Sequence, residues 1–228
     1  MFPFLFKRLD MTKFHCDICE LTKCAHVSFS ISNKSGSHPF ELIHSDILGP
    51  FTIPNISGSH WFISLIDDCT RVTWIFLIKQ KSDVSSVVSN FHSMIQNQFG
   101  VKIKIFRSDN AMHYFNQILT SYFQKEDIIH ESSCVNTPQQ NRVTKRKNSH
   151  LLYTTRALLF QGDVPKSYLG EVVLIATYMI NRLPSQILDF KTPLEILAKF
   201  YPHVRTSSNI IPRVFGCTSF VQVHSQNR

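Results

Sequence analysis

Three short apolar runs stand between residues 41 and 78, each closed by residues that break extended structure, and they limit the fold more than any other feature. Glu41-Leu-Ile-His-Ser-Asp46 alternates, continues through Ile47-Leu48 and meets Gly49-Pro50. His60 to Ile66 is the second run and Val72 to Ile78 the third. Successive side chains of a strand point to opposite faces, so each run reads as a strand with one buried face. Asp67-Asp68-Cys69-Thr70-Arg71 joins the second to the third as a hairpin, and turn chemistry is the reading of its two aspartates. Asp46 differs, because it closes a strand just before a Gly-Pro break, where a carboxylate can face a cleft.

The spacing then changes. Asp83 is placed to cap a helix in which Val84, Val87, Val88, Phe91 and Ile95 share one face, and Gly100 stops it. Val101 to Phe106 reads as a strand, and Arg107-Ser-Asp109-Asn110 puts a second carboxylate at its end. A helix over Phe115 to Lys125 and a fifth strand over Ile128 to Ser132 follow. Pro138 suits the first turn of a long helix, where its missing N–H would go unpaired anyway. In that helix Leu151, Leu152, Leu158 and Leu159 form the apolar face. Three strands, helix, strand, helix, strand and long helix make a mixed α/β pattern. Residues 166–200 are expected to be helical and to pack outside this core. Val172 to Ile180 is apolar nearly all round, which predicts burial, and Pro184 is expected to end that helix.

Charge bears on the partner. The 228 residues carry a net charge of +8, which favours an acidic partner and nucleic acid first among them. Arg142, Lys145, Arg146 and Lys147 crowd the first turns of the long helix. Cations there oppose the helix dipole by roughly 0.3–1 kcal/mol each at exposed sites, a cost that a polyanion would relieve. A solvated basic face is the plainer reading. The longest apolar run, Val172 to Ile180, is too short to span a bilayer, so no membrane partner is expected. The first eight residues place charge after the apolar part and do not read as a signal peptide.

Residues 1–40 read as a separate region, with a Ser-rich linker over Ser28 to Ser37. Cys16-Asp-Ile-Cys19 is a C-x-x-C hook of the kind that holds zinc through two thiolates. His15, Cys24 and His26 stand nearby, but no second well-spaced pair does, so the hook is half a motif and this region is expected to be poorly fixed. The six cysteines are otherwise scattered, which suggests a reducing compartment.

Several of these segments together resemble the integrase of copia-type retrotransposons, a part of their polyprotein with an RNase H-like catalytic core. They are His44-Ser-Asp46-Ile-Leu-Gly-Pro, Arg107-Ser-Asp109-Asn110, and Thr137-Pro-Gln-Gln-Asn141 with Arg146-Lys-Asn148. Ile180-Asn-Arg-Leu-Pro184, Lys191-Thr-Pro193 and Val214-Phe-Gly-Cys217 match as well. The resemblance runs from Phe14 to about Val223. It implies a five-stranded mixed sheet flanked by helices over residues 41–165, a helical extension over 166–200, and a tail over 201–228 with one strand-like segment. It implies that Cys16 and Cys19 are the cysteine half of a His-His-Cys-Cys zinc domain whose histidine half would lie upstream of Met1. It also implies DNA as partner, a homo-oligomer and work in the nucleus.

The chemistry implied is DNA integration by polynucleotidyl transfer. Three carboxylates hold two magnesium or manganese ions, roughly 3.5–4 Å apart, which activate a hydroxyl and stabilise a leaving oxygen. Asp46 and Asp109 match the first two catalytic, metal-binding positions. The third in the family is a glutamate with thirty-five residues between it and the second aspartate; residues 110–144 intervene here, and the position holds Lys145. A protonated lysine has no lone pair for a metal. At ~4 Å and an effective dielectric of about 20, its charge would repel one divalent ion by roughly 8 kcal/mol. The family has Asp-Asn-Gly-Gly-Glu where this chain has Asp109-Asn-Ala-Met-His113, and Asn-Gly-Val where it has Asn141-Arg-Val. These departures predict impaired catalysis. The resemblance also makes Asn141, Arg142, Lys145, Arg146 and Lys147 candidate nucleic-acid contacts, with Lys145 turned from metal ligand to phosphate contact. Either an integrase core impaired in chemistry, a binding module without chemistry, or an unexpressed retroelement remnant is compatible with these residues.

Overall fold

The computed structural model describes residues 36–133, 141–203 and 215–216. Strands β1 (Leu42–Leu48), β2 (Trp61–Asp67) and β3 (Thr73–Ile78) precede helix α1 (Val84–Phe99). Strand β4 (Ile105–Ser108), helix α2 (Gln117–Lys125) and strand β5 (Ile129–Ser132) follow. Then come α3 (Arg142–Gly162), α4 (Leu169–Ile180) and α5 (Pro193–Phe200). The sheet has five strands in the order β3-β2-β1-β4-β5. β1, β2 and β3 pair antiparallel, whereas β4 lies parallel to β1 and β5 parallel to β4. The short connections allow hairpins, while α1 and α2 are the crossovers that parallel neighbours require. This is the RNase H-like mixed sheet that the resemblance implied.

Period two sorts the side chains between two apolar layers. Ile43, Ile63, Leu65 and Phe106 face Val84, Val88, Phe91 and Ile95 of α1 and Leu119 and Phe123 of α2. Phe62 and Ile75 face Leu151 and Leu158 of α3 and Val172, Val173, Ala176 and Ile180 of α4. Burying each such side chain contributes about 1.5–3 kcal/mol. Between β1 and β2 the chain turns at the cis Gly49-Pro50 peptide. Gly49 has φ +127, and a Cβ there would lie 2.7 Å from the His60 carbonyl oxygen, so only glycine fits.

Several expectations need correction. The strand expected over Val101 to Phe106 lies at Ile105–Ser108, because only that stretch reaches both neighbours. Asp83 does not cap α1 through its side chain; its Oδ2 accepts from the Lys79 and Gln80 backbone N–H groups at the preceding 3-10 turn. Phe40, assigned to the N-terminal region, is fully buried in the core. The apolar run Val172 to Ile180 is buried on one side only. Leu174, Ile175 and Tyr178 are exposed on the other, since α4 lies on α3 and β3 with no further layer among the described residues. That helix ends ahead of Pro184, where Asn181 accepts from Thr73 N–H at 2.9 Å and donates to Thr73 O at 2.7 Å. Pro138 lies outside the described residues, as do Cys16, Cys19, Cys24, His15 and His26 and the strand-like segment of the tail. Among the described residues no helix is long and apolar enough to cross a membrane.

Candidate active site and basic helix

The parallel pairing of β1 with β4 sets the two aspartates side by side. His44 stands opposite Arg107, and two residues further along each chain come Asp46 and Asp109. Both therefore reach the sheet face that α3 covers. Asp46 Oδ1 accepts from the Ile47 N–H and Oδ2 from the Asn148 side-chain amide, each at 3.0 Å. Asp109 Oδ1 accepts from the Ala111 N–H at 3.3 Å. Beneath them Ser45 Oγ and the buried Tyr114 hydroxyl are 2.6 Å apart.

Electrostatics mark Asp46. Burial first, and then the neighbouring Asp109 charge, push its carboxyl up to about 6; the Asn148 and Ile47 hydrogen bonds and the Lys145 charge act the other way. A raised carboxyl beside a second carboxylate is the arrangement in which an added positive charge gains most. Lys145 supplies part of that charge from α3, although its side chain is exposed.

The donor set does not fit a two-metal centre. Among the described residues no group of three or more histidine, cysteine or carboxylate side chains is placed to hold a metal ion. Asp46 and Asp109 offer two carboxylates, and α3 faces them with an ammonium and an amide that already donates to Asp46. Ala111, Met112 and His113 follow Asp109 on its C-terminal side. Met112 is 87% exposed, and the His113 ring buries its Nε2 without a partner.

The basic helix divides. Lys145 and Arg146 are exposed and Arg142 is half-buried along the same side. Asn141 and Lys147 do not join that face. Asn141 is 2% exposed, and its side chain accepts from Thr144 Oγ1 inside the first turn. Lys147 is half-buried, and burial, followed by the Arg71 charge, pulls its amine down to about 8. Asn148 is the residue that had no assigned role from sequence. It lies three residues beyond Lys145, hence on the same face one turn on, and that spacing was the available signal.

The fold is the RNase H-like fold of integrase cores. The family model "Integrase core domain" matches residues 36–138, and that segment belongs to this family. The chain is 34% identical over 216 residues, 93% of its length, to the retrovirus-related Pol polyprotein from transposon TNT 1-94 of Nicotiana tabacum. It is 31% identical over 215 residues to that from transposon RE1 of Arabidopsis thaliana. It is thus similar to the Pol polyproteins of plant copia-type transposons, of whose length it spans 16% and 14%. Among solved structures, the HTLV-2 integrase catalytic core domain in complex with magnesium superposes with a TM-score of 0.54 at 15% identity, covering 71% of this chain and 98% of that one. The simian T-cell lymphotropic virus intasome in complex with PP2A regulatory subunit B56 gamma gives 0.59 at 15% identity, covering 90% of this chain and 74% of that one. These two likenesses concern the fold.

Proposed function

We propose that the chain is a DNA-binding integrase core whose metal-dependent strand transfer is impaired by Lys145. The observation that carries this reading is the parallel pairing of β1 with β4, which sets Asp46 and Asp109 side by side beneath the start of α3, where Asn148 binds Asp46 and Lys145 stands one turn before it. Arg142, Lys145 and Arg146 then act as phosphate contacts. Contacts to phosphate give affinity without sequence preference, and that affinity falls steeply with salt. DNA binding is therefore expected to survive chelation of divalent metal by EDTA. In fluorescence anisotropy with a labelled duplex, changing Arg142, Lys145 and Arg146 together to alanine should reduce the salt slope by roughly one unit for each cation that touches a phosphate. An unchanged affinity and slope in that variant would leave α3 as a solvated surface.

Impairment is tested separately. A magnesium- or manganese-dependent strand-transfer assay should show little product for the wild type and more for Lys145→Glu. Equal product from both would overturn the role given to Lys145. Binding by the wild type with no transfer by either protein favours a binding module without chemistry. Neither binding nor transfer favours a folded remnant. By family, the reading also includes self-association, measurable by sedimentation, and work in the nucleus, measurable by imaging a tagged chain.

A further inference from the structure

The two aspartates of the site are held in different ways. Asp46 lies inside β1, where it pairs with Ser64 and its carbonyl oxygen accepts from Ser64 Oγ at 3.2 Å. Asp109 lies one residue past the end of β4, whose last ladder pair is Ser108 with Ser132. Its carboxylate accepts from the Ala111 N–H at 3.3 Å, longer than an ordinary N–H···O bond. Its backbone is steadied by the side chain before it: Ser108 Oγ donates to the Asp109 carbonyl oxygen at 2.8 Å.

Ser108 is held in turn. It is fully buried on the sheet face opposite the carboxylates, and its Oγ lies 2.9 Å from His130 Nε2. Register explains the contact, since His130 of β5 pairs with Phe106, two residues before Ser108 and on the same face. Phe115 stacks on the imidazole at 4.8 Å between ring centroids, and Phe123 and Phe106 stand at 5.1 and 6.0 Å. The ring is thus caged by aromatic side chains, and burial lowers its affinity for a proton. The protons of this chain of bonds have one consistent arrangement. A serine hydroxyl has a single proton, and a carbonyl oxygen can only accept. The Ser108 proton is committed to Asp109, so His130 Nε2 carries its own proton and donates to Ser108 Oγ. Nδ1 is then the unprotonated nitrogen of the neutral ring.

We infer that His130 is a positioning residue for Asp109: its Nε2–H donates to Ser108 Oγ, the serine proton goes to the Asp109 carbonyl, and the peptide so fixed keeps the Asp109 carboxylate turned toward Asp46. A residue beyond the last ladder pair is free to turn about φ and ψ, and a buried hydrogen bond to its carbonyl removes that freedom. Removing one partner from such a chain leaves the next buried group unpaired, so each bond supports the one after it. The inference rests on Asp46 and Asp109 being the working pair of the site, and not on DNA binding or on Lys145.

The test is NMR on the full isotope-labelled chain, without metal or nucleic acid. Near neutral pH the His130 imidazole should carry a proton on Nε2 and none on Nδ1. The Asp109 χ1 angle, read from three-bond couplings to its carboxyl carbon, should correspond to one rotamer. Ser108→Ala and His130→Phe should each average these couplings over several rotamers and shift the Asp109 carbonyl-carbon resonance, while the Asp46 couplings stay unchanged. His130→Gln, whose amide can put an N–H donor where Nε2 stood, should restore the wild-type couplings. Ser108→Ala removes only a hydroxyl oxygen and keeps the packing, so it decides the matter if His130→Phe lowers the thermal midpoint too far for measurement. A proton on Nδ1 in the wild type would overturn the inference. So would an unchanged Asp109 rotamer in Ser108→Ala, or His130→Gln behaving as His130→Phe does. A chain that shows these couplings but binds no duplex would sink the functional reading above and leave this one standing.

Discussion

Strand β1 is flanked by two pairs of aspartates, and their surroundings are opposite in kind. Asp67 and Asp68, at the hairpin, are wrapped in donors. Asp67 accepts from Phe40 N at 2.7 Å and from the N–H and hydroxyl of Thr70 at 2.8 and 2.7 Å. Asp68 accepts from His44 Nε2 at 2.9 Å and Gly36 N at 2.7 Å and pairs with Arg71 at 3.1 Å. Burial works to raise the Asp68 carboxyl, yet His44 and Arg71 hold it below the ordinary carboxylate range. Asp46 and Asp109 have fewer donors and face each other, and burial with that repulsion lifts Asp46 to about 6. Asp67 is also raised, by burial, so a raised carboxyl alone does not mark a site. What distinguishes Asp46 is that only two hydrogen bonds offset its burial and the neighbouring carboxylate, whereas Asp67, with Asp68 beside it, accepts three. The hairpin aspartates tie chain to chain, whereas the Asp46 pair stores unfavourable charge facing a basic helix.

The comparison can be broken most sharply at Asp67. Asp67→Ala leaves the buried Phe40 and Thr70 donors unpaired and should lower stability in urea by about 3 kcal/mol. A loss below about 1 kcal/mol would mean that water replaces the carboxylate there. At the other end the sign should reverse. Asp46→Asn should raise stability at pH 8 by about 2 kcal/mol, because the ionised carboxylate is disfavoured in the folded chain. The native chain holds a proton on Asp46 between its unfolded value near 4 and about 6, so this group's contribution falls as pH rises through that window. The gain from Asp46→Asn should accordingly vanish by about pH 4. Asp68→Asn should behave oppositely and lose about 2 kcal/mol at pH 7. Asp68 stabilises above its unfolded value, and that contribution disappears as pH falls through its depressed native value. Equal signs for Asp46→Asn and Asp68→Asn at pH 8 would erase the distinction. The smallest effect belongs to Lys145. Lys145→Ala removes an exposed charge that lowers the Asp46 carboxyl, so its titration followed by carboxyl-carbon NMR should move up by about half a unit. No movement would mean that the ammonium stays in solvent.

Residue order alone determined the alternation of β1, β2 and β3, the breakers that separate them, the stop of α1 at Gly100, and two carboxylates at strand ends. Each is a local matter: period two, backbone freedom at glycine, and the missing N–H of proline act within a few residues. Composition and spacing also showed the crowding of cations at the start of α3. Which side of α3 meets the sheet was decided elsewhere. Its rotation is set by Leu151 and Leu158 seating against Phe62 and Ile75, far away in sequence. That seating turns Asn148 onto Asp46 across 102 residues, half-buries Lys147 and leaves Arg146 in solvent. The same holds for α4, whose apolar run has no side that sequence could favour; only contact with α3 and β3 chose the buried half. A helix carries its residues in a fixed spiral, but the angle at which the spiral meets its neighbours comes from close packing between distant segments.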